Sequence, residues 1–180
     1  DSLELASSLG DFQSSITKLH DVTAILEETR NKVQGVISFE AVAFFLADEE
    51  TQEFSLSSID SELHRSAIQA EVDRTIDDGT FAWALREKRP LIVPTKDHRA
   101  SLLLHVMATA TRIRGIFIGL LKQDNQRLMN VSLSLLSIIL SSSANALESF
   151  ELYGRIKKIN ASLERIDNYR LLFEAAPDGV

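Results

Sequence analysis

The sequence predicts an α+β domain, an antiparallel sheet of five or six strands set between long N- and C-terminal coiled-coil-forming helices. Three observations carry this. Apolar residues at both ends recur at alternating three- and four-residue steps, and the middle switches to short β-rich runs separated by turn residues. The 180 residues, 44% of them apolar, suffice for one core of ordinary size but not for two full domains.

The first segment, residues 1–37, has its apolar positions at Leu5, Leu9, Phe12, Ile16, Leu19, Leu26, Val33 and Ile37. These fit a heptad seam interrupted at Thr23 and Arg30, and no proline breaks it, so the pattern predicts one long amphipathic helix ending near Gly35. Ala41 to Ala47 is β-rich. Asp48-Glu49-Glu50 then reads as a turn into a second strand from Glu53 to Ile59. Ser61 to Ala70 reads as a helix, and Thr80 to Lys88 as another, with Thr80 as its cap and Pro90 as its stop. Leu91-Ile92-Val93 is a short strand, and Leu102 to Ala108 with Arg112 to Lys122 form a closing hairpin.

A second long helix is predicted over residues 126–168. Its register runs through Leu128, Val131, Leu135, Ile138, Ser142, Asn145 and Ser149 into Leu152, Ile156, Ile159, Leu163 and Ile166. Leu128 to Leu147 is uncharged and about long enough to span a bilayer, but six serines and two asparagines in it fit a buried helix of a bundle better than a membrane span.

Charge and composition exclude several functions. With 19 basic and 26 acidic residues the formal charge is −7, and no basic stripe could follow a phosphate backbone, so nucleic acid is not an expected partner. The absence of cysteine removes disulfides, thiolate metal sites and sulfur nucleophiles, and suits a cytoplasmic protein.

Three segments resemble the GAF domain family. Gly79 to Val93 is similar to that family's helix followed by a proline-started strand. Ser101 to Met107 with Ile113 to Leu121 resembles its closing hairpin, and Ala144 to Glu148 with Leu152-Tyr153 resembles its exit helix. The resemblance covers about residues 15–155. It departs in three places: His105-Val106-Met107 lacks a proline, the turn from Ala108 to Thr111 lacks glycine, and the extended Asn-Lys-Phe-Glu motif of cyclic-nucleotide-binding members is missing. Tyr169 to Val180 is similar to the opening of a PAS domain. The resemblances imply a sensory fragment of a larger signalling protein ending in a histidine kinase or diguanylate cyclase type of effector. Its parts are a signalling helix over residues 1–37, a sheet and pocket over 38–125, a coiled-coil linker over 126–168 and a PAS start over 169–180.

The family fold implies helices on both faces of the sheet, with the terminal helices on one and a ligand pocket on the other. The candidate ligand-binding residues are Trp83, His98, His105 and Met107. Strand alternation puts His105 and Met107 on one face, which is expected to be the pocket face beneath residues 79–99. For His105 a core histidine bonded to a backbone carbonyl fits equally well, and Trp83 either caps the pocket or anchors its helix. Asp77 and Asp78 before Gly79 read as turn and helix-start residues.

The four histidines lie on separate elements without metal-ligand spacing, and no nucleophile or phosphate-loop signature occurs, so neither metal nor catalysis is expected and no cofactor is named. The expected partner is a second copy of the chain. Its interface would use Leu9, Phe12, Ile16 and Leu19 with Leu152, Ile156, Ile159, Leu163 and Ile166. Ligand sensing, ligand-free dimerisation and relay, and a small enzyme are the three functional readings.

Overall fold

A computed structural model describes residues 2–122 and 128–175. The N-terminal segment is two helices, α1 (Ser2–Ile16) and α2 (Val22–Val36), and not the single helix expected. The break has a local cause. Thr17 turns its hydroxyl back onto the Ser14 carbonyl at 3.0 Å. Asp21 is extended (φ −149°, ψ 130°) and caps α2 by accepting from the Thr23 amide at 3.2 Å. With the chain reversed there, Lys32 of α2 reaches the Ser8 hydroxyl of α1, which a continuous helix would hold about 36 Å away.

Five strands follow in one antiparallel sheet: β1 (Ala41–Ala47), β2 (Phe54–Ile59), β3 (Leu91–Pro94), β4 (Ala100–Ala108) and β5 (Ile113–Lys122), in the spatial order β2-β1-β5-β4-β3. The β1–β2 turn is closed by the Asp48 carboxylate, which accepts from the amides of Glu50 and Thr51, both at 2.9 Å. Between β2 and β3 lie a 3₁₀ turn (Glu62–His64), α3 (Arg65–Asp77) and α4 (Thr80–Arg86). Gly79, at φ 87°, takes the left-handed step that starts α4, while Asp78 accepts from the Thr80 amide at 2.9 Å. The N-cap is therefore Gly79, with Asp78 holding the first amide, and Thr80 is the first helical residue and not the cap.

The last element is α5 (Asn130–Ala175), whose 46 residues span about 70 Å. Helical backbone runs on through Ala175, across the segment similar to a PAS opening, and residues 176–180 of that segment lie outside the described residues.

Strand parity divides the core in two. Val42, Phe44, Leu103, Met107 and Phe117 face α2 and α5, joined there by Ile25, Leu26, Val33, Leu136 and Leu140. Ala43, Phe45, Leu102, Leu104, Ile116 and Ile118 face α3 and α4, where Ile68, Val72, Phe81 and Ala84 meet them. Helices thus cover both faces. The α2–α5 crossing is close because small residues stand there. Thr29 and Ser143, both fully buried, have their hydroxyls 2.6 Å apart, each also within reach of a carbonyl of its own helix, Ile25 and Ile139; one proton serves the cross-helix bond and the other a helix carbonyl.

By length and composition α5 passes as a membrane span, but Leu136, Ile139, Leu140, Ala144 and Leu147 are buried against the sheet and the other helices. Phe12 and Ile16 are likewise buried within their own chain, with Leu9 and Leu19 packed at the margin. The N-terminal seam assigned to a dimer interface is therefore satisfied intramolecularly, because α1 folds back onto α2 and α5. Gln13 of α1 also donates to Ser142 of α5 at 3.1 Å.

Candidate functional site

The sheet face beneath α3 and α4, where a pocket was expected, is packed with apolar side chains. Ile68 and Val72 are 1% exposed and Phe81 is 6% exposed, and Phe54 meets Phe81 edge-on at 5.2 Å. A small space of about 140 Å³ remains beside Ile68, Glu71 and Thr95, opening onto a shallow trough rimmed by Glu40, His64, Arg99 and Lys122.

The four predicted ligand residues do not converge. Trp83 points outward, 47% exposed, and donates through Nε1 to Glu87 at 3.0 Å. The inward positions of α4 are Phe81 and Ala84, so Trp83 neither caps a pocket nor anchors the helix. His98 is exposed in the β3–β4 turn at φ 58°, where Asp97 organises the loop by accepting from the Arg99 amide and the Thr95 hydroxyl. Met107 is fully buried on the α2–α5 side. His105 shares that side. Both residues therefore stand on the face opposite the expected one, because alternation fixes which residues share a face but not which helices cover it.

His105 is nonetheless beside a cavity. The pairing of β3 with β4 stops at Leu91 opposite Leu104, so among the described residues β4 from His105 to Ala108 has no strand on its outer side. Between that edge and α5 lies a half-open cleft of about 300 Å³. Its polar wall is Lys88, His105, Thr109, Ser137, Ser141 and Asn145. The His105 ring is 4% exposed, with Nδ1 at 2.7 Å from the Val106 carbonyl and Nε2 at 2.8 Å from the Ser137 hydroxyl. A carbonyl only accepts, so Nδ1 carries the proton and the neutral ring accepts from Ser137 at Nε2. Burial holds the His105 pKa below its ordinary value, partly opposed by the Val106 carbonyl. The ring is thus a neutral strut between sheet and helix.

A charged cluster fixes α5 where it leaves the domain. Arg114 of β5, its side chain 10% exposed, pairs with Glu151 of α5 and lies 4.0 Å from Glu49 of the β1–β2 turn. Arg155 reaches the same Glu49 at 2.8 Å, and Glu148 accepts from Thr109 and Thr111 of the β4–β5 turn at 3.2 and 3.0 Å. Sequence reasoning missed this cluster, since its members are far apart in the chain and carry no motif. Beyond it α5 stands free. Leu152, Ile156, Ile159, Leu163 and Ile166 are 49–58% exposed, against the nearly complete burial of Leu147.

No family model matches the sequence, and no curated protein matches it. Solved structures do. The GAF domain/HD domain protein from Geobacter sulfurreducens aligns with TM-score 0.61 at 15% identity, over 76% of this chain and 98% of that one. The GAF domain of an Acinetobacter phosphoenolpyruvate-protein phosphotransferase gives 0.60 at 14%, over 79% and 92%. The GAF domain of a two-component sensor histidine kinase from Bacillus halodurans gives 0.54 at 14%, over 76% and 99%. The chain has the GAF fold. Within that fold the α2–α5 face holds the polar cleft and the α3–α4 face is filled, so the GAF sheet is here walled by apolar packing on the side the sequence suggested for a ligand.

Proposed function

We propose that this chain is a sensory or regulatory signalling domain that works as a parallel homodimer and passes a change of state along α5 to a downstream effector of histidine kinase or diguanylate cyclase type. The carrying observation is the exposed stripe on α5. Leu152, Ile156, Ile159, Leu163 and Ile166 repeat at steps of four and three, each about half exposed, on a helix that has left its own domain. The likeness to GAF domains of signalling proteins supports the same reading. Parallel pairing brings two effectors out at one end. The charged cluster around Arg114 and Glu151 makes the base of α5 respond to the sheet.

The chain has no cysteine, so one introduced thiol reports pairing directly. In a parallel seam Ile159 meets its own copy. An Ile159→Cys variant should therefore cross-link on mild oxidation far faster than Lys158→Cys on an outer face. Equal rates for the two variants would remove the parallel seam. The domain acts without turnover of its own, and hydrolysis of cyclic nucleotides by pure protein, abolished by one substitution in the cleft, would overturn that.

The filled α3–α4 face favours relay over sensing at that face. A sensing role belongs instead to the polar cleft beside α5.

A further inference from the structure

We infer that the cleft between the free edge of β4 and α5 binds a small organic carboxylate. Four features of the site carry this. The cleft is a real volume, about 300 Å³, at the lower end of the range of small-molecule sites and equal to the liquid volume of about ten water molecules. Besides His105 of β4, its polar groups come from three separate places. Lys88 follows α4, Thr109 stands in the β4–β5 turn, and Ser137, Ser141 and Asn145 line one side of α5.

The charge is one-sided. Lys88 is the single ionised group in the wall, since His105 is neutral, and among the described residues Lys88 has no ion-pair partner. Of the acids near the wall, Glu87 is taken up by Trp83 and Arg89, and Glu148, behind Thr109, lies in the field of Arg114. An exposed ammonium beside hydroxyls and an amide suits one carboxylate. It is a poor phosphate site, because among the described residues the wall has no arginine and no helix N-terminus to meet a second charge. The rest of the wall is Val106, Ala108 and Ala110, an apolar surface for a short carbon body.

The last feature is what the ligand would touch. Ser137, Ser141 and Asn145 belong to the helix that carries the exposed seam, so occupancy would bias α5 directly. That consequence rests on the relay reading above, whereas binding itself does not.

The test is a thermal-shift screen of two- to six-carbon mono- and dicarboxylates, with their primary amides and inorganic phosphate as controls. At least one carboxylate should raise the unfolding midpoint with concentration, by about 5–10 °C at about 100-fold excess over its dissociation constant. Lys88→Met and Asn145→Leu, both at exposed positions, should keep the unliganded midpoint and lose that shift. Backbone amide resonances of Val106 to Ala110 and Ser137 to Asn145 should move on titration. The assignment is overturned by a screen with no active carboxylate, by phosphate alone acting, by amides acting equally, by a shift that survives Lys88→Met, or by resonance changes confined to α3 and α4. Sedimentation of the unliganded protein judges the relay dimer separately.

Discussion

Replacing Ile159 and Leu163 by lysine should convert a dimer into monomers without unfolding the domain. The magnitude follows from exposure. Each of the five seam residues keeps about half its surface in one chain. Fully burying a leucine or isoleucine is worth about 1.5–3 kcal/mol, so covering the remaining half yields about 0.75–1.5 kcal/mol per residue. Ten such residues across two chains give about 7–15 kcal/mol before association costs of about 4–15 kcal/mol are subtracted. The margin is narrow, so pairing should depend on concentration. The double substitution removes four of the ten half-burials, about 3–6 kcal/mol, which weakens association by about 10²- to 10⁴-fold before the repulsion of four ammonium groups is counted. Sedimentation from micromolar to hundreds of micromolar protein reads the effect, and circular dichroism checks that the helices and sheet persist. A wild type that is monomeric throughout, or a variant with an unchanged dimer constant, refutes the seam.

Three further outcomes test the interior. Because burial lowers the His105 pKa, the unfolded chain takes up a proton that the folded one resists. Stability is then fully present above about pH 6.5 and falls as pH drops through that value, by at most about 1.4 kcal/mol per unit. Urea titrations between about pH 5 and 8 should show this slope, and His105→Gln should flatten it. At the α2–α5 crossing, Ser143→Ala and Thr29→Val should each cost about 1 kcal/mol, and the pair together less than the sum, read as a coupling energy in a double-mutant cycle. Additive costs would show that the hydroxyl contact contributes nothing. Gly115→Ala should destabilise by about 1–3 kcal/mol in the same assay, since its Cβ would stand 2.5 Å from the Phe45 carbonyl oxygen of β1, and a neutral result would refute the close strand approach.

The sheet was legible because its strands are runs of apolar residues bounded by Asp48-Glu49-Glu50, Pro90 and the turn at Ala108 to Thr111, and each of those boundaries is a strand end in the structure. The exit helix was legible for the same reason, its period surviving across more than forty residues. The N-terminal hairpin was not. A heptad count runs through the break between Ile16 and Val22 because both arms pack on one core, so their apolar positions keep a common spacing although the axis reverses. The signal that competes with it is local, an aspartate in N-cap position at Asp21, and it concerns two hydrogen bonds where the seam concerns eight apolar side chains.

The candidate site was harder to read for a reason of symmetry. A strand buried on both sides shows no contrast between its faces. From Leu102 to Met107 every position of β4 is buried, so alternation sorts Leu103, His105 and Met107 from Leu102 and Leu104 without saying which set meets the terminal helices. The deciding information lies in the partners. The face toward α5 must accommodate Ser137 and Ser143, and His105 is the one side chain in the buried run from Leu102 to Met107 that can use such a hydroxyl, which it does at 2.8 Å. The opposite face meets Ile68, Val72, Phe81 and Ala84, none of which offers a side-chain hydrogen bond. The serine-rich stretch of α5 thus determines where the one polar side chain in the buried run of β4 from Leu102 to Met107 can point, and with it where the cleft lies.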